Sequence, residues 1–97
     1  MLIIAGKVYV APEHRDAHVA SYADFVSDTR TASGCLDFFI AADPVEAGQV
    51  NLFERWESNV QLRAFQATAE LPAPVTDLLS EDVALYEISA SGPVFPE

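Results

Sequence analysis

Asn51-Leu52-Phe53-Glu54-Arg55-Trp56-Glu57-Ser58 reads as a strand that ends abruptly at the start of a helix. Side chains alternate along a strand, so Leu52, Glu54 and Trp56 share one face while Asn51, Phe53 and Arg55 share the other. Ser58 is followed three residues later by Gln61, the spacing of a capping box, which marks the helix start. Glu54 stands between an apolar residue and the only tryptophan of the chain. A carboxylate in that setting requires either chemistry or a partner, because burying it unpaired is costly.

Outward from this segment the same logic assigns the remaining elements. Leu2 to Val10 is rich in Ile, Val and Tyr and, Lys7 apart, apolar on both faces, as in a central strand. Pro12 suits the first position of a helix, and Glu13 and Asp16 suit its positive end. This helix is predicted to run to about Thr31. Its apolar stripe carries His18, Tyr22, Phe25, Val26 and Thr29, while Asp24, Asp28 and Arg30 lie mostly outside it. Ser33-Gly34 closes it, since glycine tolerates the left-handed conformation at a helix end.

Cys35 to Ala42 follows as a strand with Leu36, Phe38 and Ile40 on one face and Cys35, Asp37, Phe39 and Ala41 on the other. Asp43-Pro44 to Gly48-Gln49 is a loop by composition. Val50 to Trp56 is close enough to pair with the preceding strand as an antiparallel hairpin. A second helix spans Ser58 to about Thr68, with Val60, Leu62 and Phe65 among its apolar residues. Leu71-Pro72-Ala73-Pro74 breaks it, Val75 to Ser80 is predicted to add one or two turns, and Asp82 to Ala90 is the last strand. Ser91-Gly92-Pro93 then releases a tail, residues 91–97.

This order is strand, helix, strand, strand, helix, strand. Two right-handed crossovers of this kind put both helices on one face of a four-stranded antiparallel sheet, the ferredoxin-like α+β arrangement. The opposite face has no helix to cover it, although the strands are apolar on both sides. So large an exposed patch is unusual in a monomer, and a homodimer formed through the sheet face is the economical solution. The Val94-Phe95 tail can then reach across to the partner or remain a frayed end.

The bulk composition narrows the function classes. Ninety-seven residues make a single domain, 1–97, and 51% hydrophobic content is high for that size. A formal net charge of -10 and a pI near 4.3 argue against nucleic acid or an anionic membrane as partner. One cysteine builds neither an intrachain disulfide nor a cysteine zinc site, which points to a reducing cytoplasm. Gly6-Lys7 interrupts the apolar start too early for a signal peptide, and no segment has the length of a membrane span.

Gly34-Cys35-Leu36-Asp37-Phe38, Asp43-Pro44 and Leu52-Phe53-Glu54-Arg55-Trp56-Glu57-Ser58 together resemble the antibiotic biosynthesis monooxygenase family. The resemblance runs from Leu2 to about Phe65 and is most specific at the strand end Trp56-Glu57-Ser58. It implies a dimeric α+β barrel and, by analogy with quinol and anthrone oxygenases, a monooxygenase that needs no cofactor. Two departures stand out. The second helix of the family often carries a His about nine residues after the strand-end Trp, where this chain has Phe65. Haem-degrading relatives use an Asn, a Trp and a downstream His; the matching places here look like Lys7 and Phe65, and no His follows His18. Haem degradation is therefore disfavoured.

The resemblance also implies a ligand cleft between helices and sheet, with Tyr9, His18, Tyr22, Phe39, Trp56 and Phe65 as candidate lining. Taken singly each aromatic suits plain core packing, and collectively the set suits a flat polycyclic phenol. His18 is the candidate base, because imidazole titrates near neutral pH; a histidine satisfied in the core is the alternative. Glu54 is either a carboxyl that exchanges a proton with substrate or an ion-pair partner of Arg55, Lys7 or Arg63. Asn51 can donate to an oxyanion or cap the Ala47-Gly48 turn. Cys35 reads as a small buried hydrophobe. His14 and His18 have a metal-capable helical spacing, but two histidines alone assign no metal. The sequence leaves three readings of function: a cofactor-independent monooxygenase acting on a phenolic or quinol-like aromatic, a non-catalytic dimeric module that binds a small aromatic or assists a pathway enzyme, or a purely structural dimer whose cleft is filled by side chains.

Overall fold

β1 (Leu2–Tyr9) pairs antiparallel on both sides, with β3 (Gln49–Trp56) and with β4 (Ser80–Glu87). β2 (Cys35–Ala42) adds to the far side of β3, giving the strand order β2-β3-β1-β4 in this computed structural model, which describes residues 1–96. The ferredoxin-like topology, the antiparallel β2–β3 hairpin and the central place of β1 all agree with the sequence reading.

The first helical segment is broken where one helix was expected. A 3-10 turn at Pro12–His14 leads into α1 (Arg15–Ser21), and α2 (Ala23–Thr29) follows after Tyr22. Ser21 Oγ donates to the His18 carbonyl at 2.6 Å, the acceptor that an unbroken α-helix would offer to the Tyr22 N–H. Tyr22 N–H donates instead to Val19 O at 3.1 Å, and this tightened turn bends the helix. The apolar stripe survives the bend: His18 and Thr29 are buried, and Tyr22 and Phe25 are half-buried. Gly34, with φ +85°, ends the segment as expected.

α3 (Asn59–Thr68) starts where its capping signal put it, with Gln61 N–H donating to Ser58 Oγ at 3.3 Å. Leu62 is buried and Phe65 half-buried, but Val60 faces solvent. Residues 75–80 form no helical turns, because Leu79 N–H donates to Tyr9 O at 2.7 Å and draws the chain into the sheet. β4 therefore begins two residues earlier than expected. It also ends three residues earlier, since Ile88 N–H donates to the carbonyl of Met1 and β1 offers no partner beyond that point. Val94 and Phe95 are exposed, and Glu97, the last residue of the predicted tail, lies outside the described residues.

A bulge between Cys35 and Asp37 corrects the faces of β2. Cys35 pairs with Trp56 and packs on the core, whereas Leu36 is pushed to the surface. The core of the helix-covered face is Leu2, Trp56 and Leu62, with Ile4, Ala32, Cys35 and Phe65 packed against it. The other face carries Phe39 stacked on Phe53 at 5.5 Å, together with the Asp37–Arg55 ion pair at 2.7 Å. No helix of the described residues is long and apolar enough to cross a membrane.

Candidate functional site

Between the helix-covered sheet face and the helices lies a cavity of about 470 Å³, within the roughly 300–1,000 Å³ range of small-molecule pockets. Val8, Val50, Leu52, Ile40 and Val83 form its floor, as inward positions of the four alternating strands. His18, Tyr22 and Phe25 form one wall and Phe65 another, while the exposed residues Gln66, Leu71, Leu78 and Glu81 form the rim. An aromatic chain holds the walls together: His18 to Tyr22 at 5.1 Å, Tyr22 to Phe25 at 6.0 Å, and Phe25 to both Phe38 and Phe65 at 5.8 and 6.1 Å.

His18 is 7% exposed, and its Nδ1 is buried with no hydrogen-bond partner among the described residues. A buried polar atom left unpaired costs free energy, so this nitrogen lacks the partner that a purely structural histidine would have. Burial also holds its pKa below the usual histidine value, which keeps the imidazole neutral and proton-accepting.

Glu54 contributes the second titratable group. Its Oε1 accepts a hydrogen bond from Trp56 Nε1 at 3.0 Å, two residues along the same strand face. Burial raises its pKa, and the indole hydrogen bond opposes part of that rise. The expected ion pairs with Arg55, Lys7 or Arg63 are not formed. Arg55 turns to the opposite face and binds Asp37, Lys7 lies above the Tyr9 ring at 6.0 Å, and Arg63 Nη1 donates to Gln66 Oε1. Alternation along the strands puts Arg55 and Lys7 on the other sheet face, and Arg63 is exposed on α3.

The structure thus brings His18, Tyr22, Glu54 and Phe65 to one cavity and separates the other candidates from it. Trp56 is fully buried behind the wall, 5.1 Å from Phe65, and reaches the cavity only through Glu54. Tyr9 and Phe39 do not line the cleft, because their strand positions face the helix-free side. There Tyr9 Oη donates to Gln49 Oε1, and Phe39 stacks on Phe53.

Asn51 lies on that same side with both amide ends engaged. Its Nδ2 donates to Asp43 Oδ1 at 2.9 Å, and its Oδ1 accepts from Gln49 Nε2 at 2.7 Å. Asp43 also accepts from the backbone N–H groups of Val45 and Glu46, and these bonds hold its carboxyl below the ordinary range. Asn51 therefore organises the β2–β3 loop and faces away from the cavity. His14 is exposed beside a separate hollow with Pro74 and Thr76, so it does not converge with His18. Among the described residues no group of three or more His, Cys, Asp or Glu could hold a metal ion.

Phe25, Phe38, Leu52, Glu81 and Val83 were not singled out from sequence. For Glu81 and Val83 the available signal was the alternation of β4, whose inward set follows once Val83 is paired with Gly6.

The model of the antibiotic biosynthesis monooxygenase family matches residues 1–73, three-quarters of the chain. A crystal structure from Deinococcus radiodurans, named for antibiotic biosynthesis monooxygenases, superposes with a TM-score of 0.75 at 18% identity, covering 99% of this chain and 100% of its own. The heme-degrader MhuD of Mycobacterium tuberculosis superposes with a TM-score of 0.69 at 12% identity, covering 96% of this chain and 100% of its own. At these identities the likeness is one of fold. An uncharacterized protein of Synechocystis sp. is 24% identical over 93 residues; the match covers 91% of this chain but only 63% of that relative's length.

Proposed function

This chain belongs to the antibiotic biosynthesis monooxygenase family, and from that membership we propose that it is a cofactor-independent monooxygenase oxidising a phenolic, quinol or anthrone-like aromatic with O2. The observation that carries the reading is the His18 ring on the wall of an aromatic-lined cavity, with its buried Nδ1 unpartnered among the described residues. A flat ring stacks among Tyr22, Phe25 and Phe65 and lies beside the His18 ring, a neutral base.

With an anthrone the steps balance as follows. His18 takes a proton from the ring methylene, and the resulting carbanion passes one electron to O2. The radical pair recombines with formation of a C–O bond, and the peroxide regains the proton from His18. Loss of water from the hydroperoxide breaks the O–O bond and leaves a ketone, so one oxygen atom enters the product and the other leaves as water. The substrate itself is the reductant. Glu54, oriented by the Trp56 indole, is the second group able to exchange a proton with the bound ring.

We also propose that the chain acts as a homodimer through the helix-free sheet face, with the Phe39–Phe53 stack, Ile3, Ala5 and Ala84 at its centre. A monomeric mass in sedimentation equilibrium contradicts this assignment.

Oxygen uptake tests the chemistry, using a panel of hydroquinones and anthrones against a heat-denatured control. Turnover is expected with at least one of them, falling by about 10²–10⁴-fold in His18→Ala. No uptake above the control across the panel overturns the oxygenase reading. Ligand binding with any turnover unchanged in both His18→Ala and Glu54→Gln assigns a non-catalytic binding module instead.

A further inference from the structure

The charges around the cavity are one-sided. Its titratable lining among the described residues is His18, Tyr22, Glu54 and Glu81, and no lysine or arginine is part of it. Glu54 lies inside the wall, hydrogen-bonded only to an indole N–H, and Glu81 stands exposed at the rim. The nearby cations are held elsewhere. Arg63 is exposed and its Nη1 donates to Oε1 of the rim residue Gln66 at 2.7 Å, while Arg30 Nε donates to the backbone carbonyl of Phe38 at 2.8 Å. Arg55 is paired with Asp37 on the other sheet face. The whole chain adds a net charge of -10, so the long-range field has the same sign as the local one.

We propose that this cavity selects planar aromatics that are neutral, or that carry an ammonium group toward the Glu81 rim, and rejects those bearing a carboxylate or sulfonate. The inference rests on the cavity being the substrate site, and it names the class of ring that enters. A neutral phenol that passes its proton to His18 leaves an ion pair of zero net charge inside the wall. A ring that arrives as an anion brings a charge with no lysine or arginine in the lining to meet it, next to two carboxyl groups. Selectivity here comes from the unfavourable partner as much as from the favourable one. Apart from His18, Tyr22, Glu54 and the rim residues Gln66 and Glu81, the lining is apolar or aromatic.

The test is calorimetric titration near neutral pH with naphthalenemethanol, naphthylmethylammonium and naphthoate, each substituted at the same ring position. The alcohol and the ammonium are expected to bind, and the naphthoate to bind about tenfold more weakly or worse. Glu81→Gln and Glu54→Gln conserve side-chain size, and thermal melts confirm that each is folded. At least one of them is expected to narrow the gap several-fold. Equal or tighter binding of naphthoate, a gap that neither variant narrows, or no binding of any of the three overturns the proposal. None of these measurements needs turnover. Absence of oxygen uptake would overturn the oxygenase reading while leaving the order of affinities standing.

Discussion

At the Trp56 end of β3 the space between sheet and helices is closed: Trp56 and Leu62 have no exposed surface, and Leu2 retains 5%. Four residues earlier on the same strand face, Leu52 looks into an open cavity. Both ends follow one alternating pattern, so alternation decided which side chains point toward the helices but not whether anything meets them. What differs is the cover. α3 stands over the Trp56 end and brings Leu62 and Phe65 down onto it, then stops at Thr68. Beyond it the chain runs as an irregular segment that brings Ala69, Leu71 and Leu78 to the cavity, and no helical turn reaches the floor near Val50 and Val83.

Truncation is the strongest way to break this comparison. Trp56→Ala is expected to cost about 3–5 kcal/mol in urea unfolding, because a closed site cannot relax around the loss. Leu52→Ala, which enlarges a space already open, is expected near the lower end of its class, about 2 kcal/mol. Equal costs at the two positions would mean that the cavity end is as tightly packed as the closed end.

Gly6 comes next in size. It sits in the floor row between Leu52 and Val83 with φ +155°, and a Cβ there would run into the backbone carbonyl of Asp82. Gly6→Ala is expected to cost about 1–3 kcal/mol, read from the same denaturation curves. A neutral result would show that the floor yields where the Trp56 end does not.

Smaller effects come from the two titratable groups, and they have opposite signs. The His18 pKa is lowered from 6.5 by burial, so the unfolded chain binds more protons below that value. Stability is therefore expected to fall as pH drops from about 6.5 through the folded pKa, and His18→Gln should remove that slope. The Glu54 pKa is raised from 4.5, so its contribution is intact below 4.5 and is lost as pH rises through the folded value. Glu54→Gln keeps an oxygen for the Trp56 indole and is expected to stabilise the protein near neutral pH, by at most about 1 kcal/mol once solvent screening is allowed for. Melting curves at several pH values separate the two variants.

The smallest stability effect is the one that sharpens the comparison most. Val83→Phe places a ring into the open floor and is expected to change stability by less than about 1 kcal/mol. Ligand binding should nevertheless be lost. A large destabilisation would indicate a floor already filled.

Much of the fold was legible before any coordinates. The element order, the capping box at Ser58, the glycine that closes the first helical segment and the shared face of Leu52, Glu54 and Trp56 all agree with the structure. The candidate site was legible only in part. His18, Tyr22 and Phe65 were placed in a cleft and line it, whereas Tyr9, Phe39 and Asn51 belong to the other sheet face. The sheet is apolar on both sides, and alternation sorts residues into two sets without saying which set the helices cover.

The sequence by itself determined the order of the elements, the start of α3 at Ser58 and the end of the first helical segment at Gly34, because capping, helix-ending glycines and alternation are local properties of a few neighbouring residues. Tertiary structure decided what those elements meet. That Glu54 is held by Trp56 and not by a cation depends on which residues stand opposite it, Ile4 in β1 and Phe38 in β2. That Ser21 breaks the first helix depends on a competition between two donors for one carbonyl. The cavity depends on the helix-covered volume that α3 leaves unfilled. Each of these is a contact or a gap between segments distant in the chain or in competition at one atom, and local residue preference does not encode it.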